Sequence, residues 1–222
     1  MLRRKIELCM TLLLLLGMII VSRKLSQLVT SENVQAGKDI VVIDAGHGGH
    51  DPGKVGVNDA LEKDINLQIA QKVKKHLEKN GIQVIMTRED DVMEDTKLED
   101  MKKRVALINE IKPAITVSIH QNSYSDASVK GAQVFYYAGS EVSKGAASLM
   151  QEEMRKVDTE NTRQIKSNSD FYMLKKTEVP TIIVECGFLS NPGEAEKLTS
   201  EEYQEEMAQA ICSGIMTWLS GN

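Results

Sequence analysis

Residues 41–51 read Val41-Val42-Ile43-Asp44-Ala45-Gly46-His47-Gly48-Gly49-His50-Asp51. The first three residues are β-branched and predict a buried strand. Small residues follow, and glycine tolerates a positive φ and a close backbone approach, so this strand places a side chain such as His47 at its carboxyl end. In open α/β sheets, ligands bind at that edge. A histidine in a glycine-rich turn is more often only a turn residue, so the rest of the chain must decide between these interpretations.

Strand and helix patterns alternate after this stretch. Apolar residues recur every fourth position from Ile65 to Leu77, which predicts an amphipathic helix that ends at Asn80-Gly81. The other predicted strands are 83–87, 114–119, 133–137 and 181–186, and the other predicted helices are 98–108, 142–157 and a last one ending near 219. The alternation predicts an α/β fold: a single domain with a mostly parallel, twisted central sheet of about six strands and helices on both faces.

Local signals refine the carboxyl-terminal part of this prediction. Asn191-Pro192 is typical of a helix N-cap followed by proline at the first helical position. Thr199 and Glu202 have the spacing of a capping box ahead of the last helix. Residues 161–170 are polar and without period, so they are predicted to form a loop.

Composition and charge restrict the class of protein. The chain has 222 residues, of which 41% are hydrophobic and 27% charged, and this balance is typical of a globular domain with a sizeable core. Its formal net charge is -5, and no basic stripe is present. We therefore expect no nucleic acid among its partners.

The amino-terminal residues differ from the rest. A positive cluster at 3–5 precedes an apolar run at 9–21, which is shorter than the roughly 20 residues of a comfortable membrane span and matches the apolar region of an export signal. No small-residue cleavage site adjoins it, so cleavage and an uncleaved anchor both stay open, and a buried core helix is a third interpretation. We predict a signal or anchor segment at 1–25, a linker at 26–38 and a folded domain at 39–222. We expect the rest of the chain to be exported across the cytoplasmic membrane and to be either anchored to it or released.

The three cysteines predict neither a disulfide scaffold nor a thiolate metal site. Cys9 lies in the apolar amino-terminal run, while Cys186 and Cys212 lie in apolar segments and are expected to be buried thiols. Cys186 is conceivable as a nucleophile. Neighbouring strand residues point to opposite faces, however, so if Glu185 faces a site, Cys186 faces the core.

Three polar side chains stand at predicted strand ends. His47 follows the first strand, His120 ends the third, and Glu185 lies near the end of the fifth. Parallel strands bring these ends to one edge. Two imidazoles and a carboxylate are typical of a hydrolytic metal site, where catalytic zinc takes three nitrogen or oxygen ligands and leaves one position for water.

The two histidines would supply two of the three ligands, so a third ligand is needed, and Glu62 is the candidate. It opens the first helix just after the glycine loop, and that loop could carry it toward His47. An acidic residue in a first helical turn also complements the helix dipole, which is our preferred interpretation of Asp64, and spacing alone leaves both roles open for Glu62. His50 on a glycine-proline loop and His76 on a solvated helix face are weaker candidates.

Four short blocks of the chain resemble a known family. They are Asp44-Ala45-Gly46-His47-Gly48-Gly49, Leu61-Glu62-Lys63-Asp64, Ser118-Ile119-His120-Gln121-Asn122 and Val184-Glu185-Cys186-Gly187-Phe188-Leu189-Ser190-Asn191. In order and spacing they resemble the signature blocks of the zinc-dependent N-acetylmuramoyl-L-alanine amidases (amidase type 3), across roughly 38–219. Residues 84–88, 131–137 and 161–163 are similar to the germination-specific, spore-cortex branch. Ala45, where proline is common, and Cys186, where a small or β-branched residue is usual, depart from the pattern.

The resemblance implies a division of roles. His47, Glu62 and His120 would hold one zinc ion (Zn2+), which can lower the pKa of a bound water to about 7. Glu185 would be the catalytic acid/base, which moves the water's proton to the leaving amine. The substrate would be the amide between N-acetylmuramic acid and the L-alanine of the stem peptide in peptidoglycan glycan strands, in the spore cortex for this branch. No substrate-binding residue is assigned, although Asn122 could contact substrate.

Two other functions stay open at this point. The domain could be a non-catalytic wall-binding module of the same fold, or another zinc amidohydrolase or peptidase. No wall-binding repeat is present in the sequence. Delivery and control would then depend on the membrane segment, on timing, or on an activating or delivering protein partner.

Overall fold

The computed structural model describes residues 40–221. The predicted amino-terminal segment at 1–25 and the linker at 26–38 lie outside the described residues, so the domain boundaries stay a prediction. Between residues 40 and 221, no helix combines the length and the hydropathy needed to cross a membrane.

The described part of the chain forms one six-stranded sheet flanked by helices. The strands are β1 (Ile40–Ala45), β2 (Gln83–Met86), β3 (Ile115–Asn122), β4 (Gln133–Tyr137), β5 (Lys166–Asn168) and β6 (Thr181–Phe188). The helices are α1 (Glu62–Lys79), α2 (Lys97–Ile111), α3 (Glu141–Val157), α4 (Tyr172–Lys176), α5 (Pro192–Leu198) and α6 (Glu201–Gly221). The strand order is β2-β1-β3-β6-β4-β5, and only the β4–β6 pairing is antiparallel. The predicted α/β fold with a mostly parallel sheet is therefore confirmed.

Some predicted boundaries needed correction. Residues 161–170 are not one loop, because β5 pairs with the edge of β4 there. A three-residue strand is too short to show a period, and the five-residue helix α4 was missed for the same reason. The strand predicted to end at His120 runs on to Asn122 because it pairs with β6 up to Phe188.

The two predicted helix caps had different outcomes. Asn191 caps α5 as predicted, since its side chain accepts from the backbone N–H of Glu194 at 3.0 Å. The prediction of a capping box at Thr199 and Glu202 is wrong. Thr199 ends α5 and donates its hydroxyl to that helix's carbonyls, and the Ser200 hydroxyl caps α6 by accepting from the Tyr203 N–H at 3.3 Å.

The alternation of side chains divides the sheet into two unlike faces. Val41 and Ile43 of β1 pack into the large core made with α1, α3 and α6, whereas Val42 between them packs with Ile108 of α2 and Met173 of α4. Successive strand residues point to opposite faces. The second face is covered by α2 and the short helix α4, and polar residues of β1, β3 and β6 also point to it, among them Asp44, Ser118 and Glu185.

A buried ion pair lies on that second face. Asp44 of β1 accepts from the Arg104 guanidinium of α2 at 2.8 Å, from the Thr87 hydroxyl at 2.6 Å and from the Ser118 hydroxyl. Burial by itself raises the pKa of Asp44, but Arg104 and the two hydroxyls outweigh it and lower the pKa to about 2. The carboxylate is therefore charged and fully paired.

Removing one partner of this pair should destabilise the fold. In Arg104→Gln, the Asp44 carboxylate stays buried without its cation, and we expect the free energy of unfolding to fall by about 3–5 kcal/mol. Urea unfolding followed by circular dichroism measures this. Lys103→Gln is the matched control, because Lys103 on the same helix pairs with Glu94 at the surface, and its midpoint should not move. Equal midpoints for both variants would contradict the assignment.

Candidate metal centre

The glycine-rich turn after β1 folds back over the end of the sheet. Gly48 and Asp51 exchange backbone hydrogen bonds of 3.1 and 2.9 Å, which closes a tight loop. His47 has a φ of 63°, and Gly49 and Gly53 also have positive φ. A positive φ is strained for a residue other than glycine, so the surroundings must hold His47 in this conformation.

Two buried arginines hold the backbone of this turn. Arg104 donates to the carbonyls of Ala45 at 2.6 Å and His47 at 2.7 Å. Arg88 donates to the carbonyls of Ala45 at 2.8 Å and Gly46 at 3.1 Å. The two arginines thereby pair the backbone carbonyls of the turn that point into the protein. Their hydrogen bonds hold His47 in its left-handed conformation.

The loop that follows carries Glu62 to His47. The backbone N–H of Lys54 donates to Glu62 Oε2 at 2.8 Å, and the N–H of Glu62 donates back to the Lys54 carbonyl at 2.9 Å. Spacing alone had left open whether Glu62 only complements the helix dipole. The structure places its carboxylate beside the two histidines instead, while Asp64 stays in the first turn of α1 as expected.

Three side chains meet at this point with the donor atoms that zinc takes. Glu62 Oε1 lies 2.9 Å from His120 Nδ1 and 3.2 Å from His47 Nε2. One ligand atom from each residue lies within 4.8 Å of the others. Two nitrogens and one carboxylate oxygen form a common ligand set for catalytic zinc, so the residues fit the metal. Glu62 is buried, whereas the side chains of His47 and His120 are 25% and 22% exposed and leave an open side.

Two glycines make room for this arrangement. A Cβ at Gly46 would come within 2.2 Å of the His120 ring, and one at Gly53 would come within 2.5 Å of Glu62 Oε2. Contacts this short would force the His120 ring or the Glu62 carboxylate to move. The absence of a side chain at both positions is therefore a requirement of the site.

A buried amide network also holds Glu62, and it was not predicted from the sequence. The N–H of Gln121 donates to Glu62 Oε1 at 3.1 Å. The Asn66 amide donates to the Gly46 carbonyl at 3.0 Å and receives the Gln121 amide at 3.2 Å. Asn66 and Gln121 lie among apolar residues on α1 and β3. A polar residue within an apolar face is the one sequence signal that could have indicated this network.

Glu62 and His120 shift each other's pKa. Burial raises the pKa of Glu62, but the hydrogen bond from His120 and the neighbouring His47 ring outweigh it and hold the pKa well below its usual range. Burial lowers the pKa of His120, but Glu62 raises it to about 9. Without metal, the carboxylate and imidazolium neutralise each other, and a metal ion would take the place of the proton.

Glu185 lies next to His120 in the sheet. The two residues are paired between β3 and β6, so their side chains point to the same face. Within the described part of the chain, Glu185 Oε2 is buried and has no hydrogen-bond partner. Burial raises the pKa of Glu185 to about 7, and the charge of His120 opposes this rise. A partly exposed carboxylate with one buried oxygen that has no hydrogen-bond partner, and with a pKa near neutrality, is suited to proton transfer.

The other candidate residues are not part of this group. His50 is exposed, and His76 is half-buried rather than fully solvated, since its Nε2 lies 2.7 Å from Glu205 of α6. Cys186 is buried in the core on the face opposite to Glu185, as the alternation predicted. Burial raises the pKa of the Cys186 thiol, which excludes it as an activated nucleophile at this site.

Asp51 is a further neighbour that was not predicted as a site residue. Its Oδ2 lies 2.8 Å from Nδ1 of His47, the ring nitrogen remote from Glu62. Burial raises the pKa of Asp51, but Lys97 and His47 lower it to about 2. Asp51 stands in the stretch that predicted the first strand, but only the curled loop brings it back to His47.

The group opens into a cleft of about 500 Å³. His47, Glu62, His120 and Glu185 line its floor, together with Asn122 at the end of β3. Its lining also includes apolar side chains, namely those of Met93, Met101, Phe171, Met173 and Ile183. This size and composition are typical of a ligand site.

Comparison with known proteins agrees with this geometry. The family described as N-acetylmuramoyl-L-alanine amidase matches residues 41–217. The germination-specific N-acetylmuramoyl-L-alanine amidase of Bacillus subtilis (strain 168) is 37% identical over 190 residues, which cover 82% of this chain and 80% of that protein.

Solved structures have the same fold. The CwlD amidase from Clostridioides difficile, determined in complex with the GerS lipoprotein, matches with a TM-score of 0.80 and 39% identity, covering 83% of this chain and 100% of that one. The catalytic domain of CwlV, an N-acetylmuramoyl-L-alanine amidase from Bacillus (Paenibacillus) polymyxa var. colistinus, matches with a TM-score of 0.75 and 33% identity, covering 83% and 99%.

The family match spans most of the described residues and includes His47, Glu62, His120 and Glu185. The Bacillus subtilis relative at 37% identity and the CwlV catalytic domain at 33% identity are both named as N-acetylmuramoyl-L-alanine amidases. This chain therefore belongs to the N-acetylmuramoyl-L-alanine amidase family, the peptidoglycan hydrolases that cleave the amide between N-acetylmuramic acid and L-alanine.

Proposed function

We propose that this amidase is zinc-dependent, with one zinc ion held by His47, Glu62 and His120 and with Glu185 as the catalytic acid/base. The observation that carries the proposal is the meeting of two imidazole nitrogens and a carboxylate oxygen within 4.8 Å, on an open cleft. Beside them, Glu185 has a buried oxygen without a hydrogen-bond partner among the described residues. A wall-binding module without catalysis would not need such an arrangement.

The roles of the side chains follow from their surroundings. Zinc held by His47, Glu62 and His120 would supply Lewis-acid chemistry, which would polarise the amide carbonyl and make water a stronger acid. Glu185 accepts the proton of the attacking water and donates it to the leaving amine of L-alanine. The N–H groups of Lys54 and Gln121 orient the Glu62 carboxylate, so that little movement is needed for binding.

The spore cortex is the proposed place of action. The relative from Bacillus subtilis is named as germination-specific, and it is 37% identical to this chain over most of its length. Residues 84–88, 131–137 and 161–163 resemble the same branch. We therefore propose cortex peptidoglycan as the substrate, with hydrolysis during cortex modification or germination.

Delivery to that substrate is proposed to involve the amino-terminal segment and a protein partner. Residues 9–21 are apolar and follow a positive cluster, which is typical of an export signal or anchor. The similar CwlD amidase was determined in complex with the GerS lipoprotein. By analogy, a lipoprotein on the outer side of the membrane would deliver or activate this chain.

Activity should depend on zinc and on its three proposed ligands. Chelation should abolish hydrolysis of cortex muropeptides by the full-length chain, and zinc should restore it, as measured by mass spectrometry of the released stem peptides. His47→Ala, Glu62→Ala and His120→Ala should each lower the bound zinc because each removes a donor atom.

The remaining histidines provide the controls for this experiment. His50→Ala and His76→Ala should keep normal zinc content, since neither ring lies in the cluster. Full activity after complete removal of metal would rule out the proposed chemistry. Cleavage of a different bond would assign the site to another class of zinc hydrolase.

Glu185→Gln should bind zinc normally yet be nearly inactive. Glutamine is close in size to glutamate but cannot accept the water's proton. Turnover should fall by about 10²–10⁴-fold, which is roughly 3–5 kcal/mol in the barrier. Steady-state kinetics and metal analysis measure the two effects separately. If the variant loses zinc together with activity, Glu185 is a metal ligand, and another residue must act as the acid/base.

The location of the chain should match its proposed route. Fractionation of sporulating cells should find the chain on the outer side of the cytoplasmic membrane, attached or released, because the amino-terminal segment directs export. Affinity capture from the same fraction should recover a lipoprotein with it. A chain that stays in the cytoplasm with an intact amino terminus would contradict the proposal.

A further inference from the structure

We propose that Asp51 is a positioning residue for the metal centre, which holds His47 in the tautomer and orientation that a metal ligand needs. This inference rests on the proposed function, because it takes His47 as a ligand. It adds a residue that no sequence block singled out, and it assigns separate tasks to the two oxygens of one carboxylate.

The contacts of Asp51 define these tasks. Its Oδ2 lies 2.8 Å from His47 Nδ1. Its Oδ1 accepts from the Lys97 ammonium at 2.6 Å and from the backbone N–H of Gly53 at 3.3 Å. Asp51 is 6% exposed, so these contacts are largely shielded from water. The carboxylate therefore joins His47 to both the following loop and α2.

The direction of the hydrogen bond selects the tautomer of His47. A carboxylate beside an ammonium group accepts hydrogen bonds and donates none, so Nδ1 of His47 must carry the hydrogen. In the neutral ring, Nε2 then has the free lone pair, and Nε2 is the nitrogen that faces Glu62 at 3.2 Å. A carboxylate behind a ligating histidine sets the ring orientation and increases its basicity.

The strained turn brings the two residues together. His47 has a φ of 63°, and the Gly48–Asp51 backbone pairing curls the loop so that a residue four positions on returns to the imidazole. His120 differs, because it faces Glu62 through Nδ1 rather than Nε2. The two histidines therefore present different ring nitrogens to Glu62. The Nδ1 of His47 is held by the Asp51 side chain, and a substitution at Asp51 can test this contact.

Two interpretations of Asp51 can be separated by experiment. If Asp51 only tethers α2 to the loop, removing Lys97 should have the same effect as removing the carboxylate. If Asp51 positions His47, only the change at Asp51 should affect the metal. The side chain of Lys97 is 67% exposed and contacts the oxygen remote from His47, so Lys97→Met is a matched control.

The test measures zinc affinity of the full-length chain, purified in a mild detergent, by competition with a chromophoric chelator. Asp51→Asn should weaken zinc binding by about 10–100-fold, because an amide can donate to Nδ1 and stabilise the wrong tautomer. Lys97→Met should bind zinc as the wild type does. Nitrogen-15 NMR of the metal-free wild type should show His47 protonated at Nδ1, and Asp51→Asn should shift this population.

Each outcome bears on the proposal. Normal zinc affinity in Asp51→Asn would overturn it, and so would equal losses in Asp51→Asn and Lys97→Met. If Asp51→Asn does not fold, the tautomer of His47 in the wild type decides, and protonation at Nε2 alone would overturn the proposal. A wild-type chain that binds no zinc would instead refute the proposed function itself, and this inference with it.

Discussion

The Arg104 guanidinium connects the parts of the structure on which the site depends. It pairs with the buried Asp44 carboxylate of β1 and donates to the carbonyls of Ala45 and His47. A single side chain from α2 thereby neutralises the charge inside the sheet and supports the turn that leaves it. Its burial would be costly without full pairing, and five donors in a planar group make that pairing geometrically feasible.

The sheet has unequal cover on its two faces, and this difference creates the cleft. Three long helices bury the face of Val41 and Ile43, whereas the opposite face has α2 and a five-residue helix. His120 and Glu185 point to the less covered face because they share a register position on neighbouring strands. The same alternation that fills the core on one side therefore leaves polar groups accessible on the other.

Much of this could be predicted from the sequence, because strand periods and strand ends are local signals. The α/β fold and the proximity of His47, His120 and Glu185 follow from parallel strands whose ends share an edge. The position of Glu62 depended on a loop held by backbone hydrogen bonds, so spacing left two options. Asp51 and Arg104 act through a left-handed turn and through contacts distant in sequence, and neither leaves a periodic pattern.

A backbone hydrogen bond from Lys54 orients the Glu62 carboxylate, and this limits which residues the sequence can carry at position 54. Every amino acid except proline offers the same N–H, so the orientation of the Glu62 carboxylate does not depend on which side chain stands at Lys54. Natural substitutions there are free to alter the charge at the cleft while the Glu62 carboxylate behind it stays in place. The charge at this position can therefore differ among related enzymes without disturbing the cluster of Glu62 and the two histidines, and proline is the one residue that this position should exclude.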